Sequence, residues 1–294
     1  MSKDSNARKA GVAAYFKGLL TAKVNIGTIL GIPISIHWSV AAFYLFTLII
    51  GSDLGWYQYL LYPLVLYFVL LHELGHSIAA KKSNVEVKEI LLMALGGAAV
   101  IKEINNPKKE LIITIAGPAV NVVLIALSAA SLAFSLGEDG GTWVGLILAL
   151  NLVILVFNIL PVYPMDGGRI LNAILSLAME NKLKRTKVMK IMTPVLSLLI
   201  GFTLIYFHIY VGGLITLLAG IIGAATFFTE ERAIQAEEEE EGNKALFEEA
   251  MEQLKLGTPF DSLNARQREA IEANISISDF LKYYRSTRLT QTSN

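Results

Sequence analysis

Six stretches of this chain are apolar over about the length that a bilayer demands, and they leave few ways for it to fold. A spanning helix needs about 20 largely apolar residues, because hydrocarbon offers an unpaired backbone no water. The stretches run over roughly 38–52, 57–80, 111–136, 142–162, 191–208 and 210–228; the first is short and the last two nearly touch. Composition agrees. Of 294 residues, 54% are hydrophobic and 17% charged, and mean hydropathy is +0.53. That balance excludes a disordered chain, a nucleic-acid-binding module and a coiled coil. Net charge is zero, so no bulk field recruits an acidic or basic partner. Cysteine is absent, which removes disulfides, iron–sulfur clusters and thiolate zinc sites. Any metal must be held by His, Asp or Glu.

Lysine and arginine set the expected orientation. Five precede the first span, six lie in 81–110, six in 163–190 and eight after 228, which accounts for all 25. The remaining loops carry only Asp53, Glu138 and Asp139. Six spans with both termini in the cytoplasm, in the cell membrane, satisfy the positive-inside rule throughout. The polar start MSKDSNARKAG is not followed by a short apolar core with a cleavage site, so no removable signal peptide is expected.

Two segments break the helical pattern. Residues 24–37, VNIGTILGIPISIH, are β-branched and punctuated by Gly27, Gly31 and Pro33, which predicts a β-hairpin. Residues 85–102, VEVKEILLMALGGAAVIK, predict two short strands turning at Gly96-Gly97. Both are too apolar for solvated loops, and irregular backbone at membrane depth must pack on protein or line a cavity. The expected fold is therefore an α-helical polytopic membrane protein. It has six transmembrane helices and a small membrane-dipping β-sheet on the cytoplasmic side; two interfacial loops are the alternative to the sheet.

The expected organisation is a cytoplasmic N-terminal segment (1–23), a six-span core (24–228) and an acidic cytoplasmic helical tail (229–294). The tail holds 14 acids against eight bases and opens with the run Glu237–Glu241. Leu246, Phe247, Ala250, Met251 and Leu254 share one helical face, and Gly257-Thr258-Pro259 stops that helix. A second helical stretch over about 264–284 follows. The tail either docks on the membrane core or binds a cytoplasmic partner.

Acids inside a bilayer are costly and mark function. Only Glu73 and Asp166 lie within or immediately beside a span, with His37, His72 and His76 at comparable depth. His72-Glu73-Leu74-Gly75-His76 is an HExxH pattern on a helix. Both imidazoles then share one face and reach one zinc, while Glu73 stands beside the water that such a metal activates. Left without partners in an apolar span, these groups would cost several kcal/mol each. A third ligand is needed. Asp166 follows the fourth span in Asn158-Ile-Leu-Pro161-Val-Tyr-Pro164-Met-Asp166-Gly167-Gly168-Arg169, which runs in the same direction as the second. Both motifs arrive at the cytoplasmic end, and Gly167-Gly168 permits a turn that aims the carboxylate inward. One zinc held by His72, His76 and Asp166 is the expected cofactor.

HELGH in one span and NILPVYPMDGGR after another resemble the site-2 protease family of intramembrane zinc metalloproteases. Ala116-Gly117-Pro118, the LGG segment at 95–97 and GIPISIH also resemble its prokaryotic members. The resemblance covers about residues 24–228. It implies hydrolysis of a peptide bond within or near the transmembrane segment of a single-span substrate, with Glu73 as catalytic acid/base. It also implies a substrate-facing Asn158 and an edge strand near Gly96, Gly97, Ala98 and Ala99 that receives unwound substrate. The tail is too short for a PDZ domain or paired CBS modules, and the member is expected to lack both.

Other residues have plainer readings. Asn158 also reads as a buried amide satisfied by a neighbouring helix. Asn121 and Pro118 read as shaping a kink, Arg169 as snorkelling to the interface, His37 as an interfacial histidine and His208 as part of an aromatic belt. The competing function is a zinc-handling transporter or carrier. A transporter needs polar groups along a full path and usually an inverted repeat, whereas here the acids cluster on one side.

Overall fold

The computed structural model describes residues 22–50, 56, 58–94, 96–133, 138–256 and 258–274. The expected N-terminal segment therefore lies outside the described residues up to position 21, as does the tail beyond 274. The chain divides into two compact units at Ala225/Thr226.

The first unit opens with β1 (Lys23–Ile29) and β2 (Ile32–His37), the predicted hairpin. Helices α1 (Trp38–Ile50) and α2 (Gln58–Lys82) then lead to β3 (Val87–Met93) and β4 (Gly96–Ile101). Four further helices follow: α3 (Pro107–Ala133), α4 (Glu138–Ile159), α5 (Asp166–Ala178) and α6 (Lys182–Tyr206). Helix α7 (Tyr210–Lys255) begins in this unit and runs into the next.

Among the described residues, five helices are long and apolar enough to cross a membrane: α2, α3, α4, α6 and α7. The chain is a membrane protein. Six such spans were expected, and the first falls short. Helix α1 has 13 residues; at about 1.5 Å rise per residue it covers roughly 20 Å, against about 30 Å of hydrocarbon. Residues 51–55, which would extend it, lie outside the described residues.

The two predicted strand pairs join into one four-stranded sheet of order β1-β2-β3-β4. Strands β1 and β2 are antiparallel, β2 and β3 parallel, and β3 and β4 antiparallel. Helices α1 and α2 supply the crossover that the parallel pair requires. One face buries Ile32 and Ile34 of β2 with Ile90 and Leu92 of β3 against Leu74 of α2. The two-residue period places all four on the same side, so the sheet is anchored to the helix that carries the HExxH residues. Two hydrogen bonds tie the ends: Tyr62 Oη donates to Ala94 O at 2.9 Å, and Lys81 Nζ to Leu30 O at 2.7 Å.

The turn between β3 and β4 corrects the sequence reading. Pairing closes at Met93 with Gly96, so the chain reverses between them and Gly96-Gly97 belong to β4. Gly97 is there for a different reason. A Cβ at this position would stand 2.8 Å from Glu73 Cγ and 3.0 Å from Val69 Cγ1, so only glycine lets β4 lie this close to α2.

The second unit is a helical hairpin with its own core. Ala250 and Leu254 of α7 pack with Leu263 and Ile271, and Phe247, Met251 and Phe260 close around them. After α7 the chain makes a short 3₁₀ turn (Phe260–Ser262) and enters α8 (Ala265–Asn274). Asn264 and Gln267 exchange backbone-to-side-chain bonds at 3.1 and 2.9 Å, a capping box that starts α8. The predicted stop at 257–259 is present. Helix α7 is continuous over 46 residues across the change in composition. Glu, Ala and Lys are good helix formers and no proline interrupts 210–255, so nothing breaks the backbone where the composition changes. The run Glu237–Glu241 lies exposed on this helix.

On the sheet face opposite the core, Ser35 Oγ donates to Glu89 Oε2 at 2.8 Å and Lys23 pairs with Glu89 Oε1. The Lys23 ammonium first, and then the Ser35 hydroxyl, hold the Glu89 carboxyl below its ordinary range. A carboxylate lowered in this way adds stability above its unfolded-state pKa, and that stability is lost as pH falls through the folded value. Glu89→Gln should cost about 1 kcal/mol at neutral pH and flatten the acid limb of the stability profile. Denaturant unfolding in detergent, from neutral pH into the acid range, checks both; an acid limb as steep as in the unaltered protein would remove Glu89 as its source.

Candidate metal centre

His72, Glu73 and His76 lie in the C-terminal half of α2, one helical turn spanning the pair of imidazoles. Asp166 is the first residue of α5, reached through the Pro161–Pro164 segment after α4. The predicted Gly167-Gly168 turn is instead the buried first turn of α5. The helix itself, rather than a loop, presents the carboxylate.

The three side chains converge. Asp166 Oδ2 lies 3.0 Å from His72 Nε2 and 3.1 Å from His76 Nε2, and the two Nε2 atoms are 3.1 Å apart. Their side chains are 3%, 3% and 7% exposed. Each imidazole turns its other nitrogen to an acceptor: His72 Nδ1 to Asn121 Oδ1 at 2.5 Å, and His76 Nδ1 to Ile113 O at 2.8 Å. With hydrogen on Nδ1, both Nε2 atoms present lone pairs to the same point as a carboxylate oxygen. Three electron-rich atoms facing one another in a buried site call for a cation among them. Two imidazoles and one carboxylate are also a donor set of catalytic zinc, which leaves a coordination position open. On these grounds the residues fit the ion.

Helix α3 makes room for the cluster. A Cβ on Gly117 would collide with Nε2 of both His76 and His72. The Ala116-Gly117-Pro118 sequence thus places its one residue without a side chain directly against the imidazoles. Arg169, one turn along α5, holds Nη1 3.9 Å from Asp166 Oδ1 and so faces the cluster.

Glu73 points from the same turn of α2 toward the sheet. Its Oε2 accepts the Ala99 N–H of β4 at 2.8 Å. Strand β4 is the last strand of the sheet, and Ala99 turns this donor away from β3. Gly97, two residues earlier, faces the same way and touches Glu73 as described above. Of the proposed substrate residues, Gly96, Gly97, Ala98 and Ala99 therefore all lie on this edge strand. Asn158 lies in the last turn of α4, where its Nδ2 donates to Ile154 O at 3.0 Å. His37 stays outside the cluster; its Nδ1 meets Ser39 Oγ at 2.8 Å, and that hydroxyl accepts Ala94 N–H at 3.2 Å.

The sequence reading gave Asn121 only a part in shaping a kink and did not single out Asn151. Asn121 is a direct partner of His72, and Asn151 is a partner of Asn121 at 3.0 Å. The signal was available. An amide in an apolar span needs a partner for the same reason that an acid does.

A membrane protein that brings two histidines of one apolar helix to a carboxylate of another, with a second carboxylate beside them, points to a class, that of metallohydrolases built within the bilayer. Comparison with known proteins gives the family. The profile of peptidase family M50 matches residues 60–144 and 139–204. A site-2 protease from Methanocaldococcus jannaschii of known structure is 30% identical, with a TM-score of 0.51; the match covers 71% of this chain and 95% of that one. The chain belongs to the site-2 proteases of peptidase family M50. A zinc metalloprotease of M. jannaschii is 39% identical over 170 residues, 56% of this chain and 49% of its own length. Stage IV sporulation protein FB of Bacillus subtilis is 34% identical over 109 residues, 36% of this chain and 37% of its own. The chain spans about half the length, or less, of these curated relatives.

Gly117→Ala tests the fit of α3 against the cluster. The added methyl should displace an imidazole and lower zinc affinity at least tenfold, while the apolar spans keep the fold. Chelator competition on the purified protein, with thermal unfolding alongside, measures this; unchanged affinity would mean that the rings do not bind metal where they now lie.

Proposed function

We propose that this protein is an intramembrane zinc metalloprotease that hydrolyses a peptide bond within or next to the transmembrane segment of a single-span membrane protein. The observation that carries the reading is the convergence of His72, His76 and Asp166 beside Glu73 on a helix apolar enough to span. His72, His76 and Asp166 would hold the ion. Zinc, when bound, polarises a scissile carbonyl and lowers the pKa of water to about 7. Glu73 takes the proton from the attacking water and delivers it to the leaving amine. The Ala99 N–H keeps its carboxylate aimed in the meantime. Asn158 would hydrogen-bond substrate backbone or the developing oxyanion.

In this reading the core, 24–228, has six spans, with α1 as a short first one, and both termini face the cytoplasm. Lysine and arginine placement supports that orientation. The sheet dips into the cytoplasmic leaflet, a place consistent with the exposed apolar Val24 and Ile26 of β1. A substrate helix hides its peptide bonds in its own hydrogen bonds and must unwind to be cut. The edge of β4 offers the freed backbone a strand to pair with, so that no group is left unsatisfied in the membrane. The tail, 229–294, would dock on the core or bind a cytoplasmic partner.

Two experiments test the chemistry and the strand edge beside it. Glu73→Gln is isosteric and leaves the three ligands intact, so zinc should remain in metal analysis while cleavage of a single-span substrate falls at least 100-fold. Asp166→Ala should instead lose most of the zinc. Substantial cleavage by Glu73→Gln would require another base, and unchanged zinc in Asp166→Ala would take Asp166 out of the site. Ala99→Pro deletes the outward donor of β4, the same N–H that holds Glu73, so it reads the strand edge and the aim of the carboxylate together. Zinc and thermal stability should change little and cleavage should fall at least tenfold; full activity in a well-folded variant would leave β4 out of the substrate path.

A further inference from the structure

A line of buried amides leads away from His72 through two neighbouring helices. Asn121 of α3 and Asn151 of α4 are both fully buried, at 0% exposure. His72 Nδ1 stands 2.5 Å from Asn121 Oδ1. Asn121 Nδ2 donates to Asn151 Oδ1 at 3.0 Å, and Asn151 Nδ2 donates to Ile147 O at 2.9 Å, one turn back on α4.

The direction of this line is not arbitrary. A side-chain amide has one accepting end and one donating end, whereas a backbone carbonyl only accepts. Ile147 O therefore fixes which end of Asn151 faces Asn121. The oxygen of Asn151 fixes the amide of Asn121 in turn, and the oxygen of Asn121 requires the hydrogen of His72 on Nδ1. Nε2 is left with its lone pair, and Nε2 is the atom 3.0 Å from Asp166. For His76 the same function falls to the Ile113 carbonyl, a backbone group that cannot turn round.

We propose that Asn121 and Asn151 are positioning residues that hold His72 in the Nδ1–H tautomer, so that Nε2 is ready to ligate zinc. The assignment rests on the reading of the cluster as a zinc site. Partners that orient a ligating histidine commonly carry 10- to 100-fold in metal affinity, so loss of either amide has a measurable size. Asn151 touches neither the ligand atoms nor Glu73 and acts only through Asn121. Its effect must therefore depend on what occupies position 121, and that dependence separates a relay from simple packing.

The experiment uses the full chain in detergent with Asn121→Leu, Asn151→Leu, Asn121→Asp and the Asn121→Asp/Asn151→Leu pair. Zinc affinity is read by chelator competition, and the His72 tautomer by ¹⁵N NMR of the metal-free protein at a pH where the ring is neutral. Asn121→Leu should weaken zinc about 10- to 100-fold and Asn151→Leu about tenfold, both with His72 moving toward the Nε2–H form. A carboxylate accepts whichever way it is turned, so Asn121→Asp should bind zinc close to normally. In that background Asn151→Leu should cost much less than it does alone. An equal loss in both backgrounds would overturn the relay, as would an unchanged tautomer and affinity in folded Asn121→Leu. Should Asn151→Leu fail to fold, Asn151→Ala removes the same acceptor with less steric demand and is read in the same way. Unaltered protein that shows the Nδ1–H tautomer but binds no zinc would defeat the metal reading and leave the amide line standing.

Discussion

Two imidazoles and a carboxylate buried within 3.1 Å of one another, on and beside a helix fit to span a membrane, are the constraint from which the surrounding structure takes its form. In hydrocarbon such groups have no water to fall back on, so each must find a partner in the protein. Helix α3 answers with a carbonyl for one ring, an amide for the other, and Gly117 where a side chain would strike both. Helix α5 brings Asp166 at its first residue. The buried histidines, Asp166 and the two asparagines around the turn of α2 that holds His72 and His76 thus form one connected group.

The sheet belongs to the same arrangement. It is fixed to α2 through Leu74, the residue between Glu73 and Gly75, and through the apolar faces of β2 and β3. That packing sets β4 against Glu73, close enough that Gly97 cannot carry a side chain. One hydrogen bond, from Ala99 N–H to Glu73, then links the free edge of the sheet to the carboxylate proposed as the proton carrier. A strand of the sheet and this carboxylate share a boundary, which is the geometry that the proposed strand addition requires.

Much of this was legible in the sequence because it rests on local spacing or on solvent. Histidines four apart lie on one face of any α-helix, so His72 and His76 declared themselves as a pair. Asp166 was identifiable because a carboxylate beside a span, at the depth of an unfinished pair, has few other uses. The strands showed through β-branched runs bounded by glycine. What misled was position within local patterns: Gly96-Gly97 looked like a turn, yet glycine there serves a close approach to α2. The change from apolar to charged side chains after 228 does not break α7, because no proline interrupts it, although the compact units divide close by at Ala225/Thr226.

The sequence by itself determined that the chain is a membrane protein, which residues gather at the centre and which chemistry their types permit. Those follow from hydropathy, helical period and the cost of buried charge, all of which act within a few turns of chain. Only the tertiary structure decided that two hairpins form one sheet through a parallel β2–β3 pair and that Asn121 and Asn151 stand behind His72. Asn121 lies 49 residues from His72 and 30 from Asn151 along the chain. No local period reports such a contact, because it exists only once helices α2, α3 and α4 have packed and brought the two amides into line behind His72.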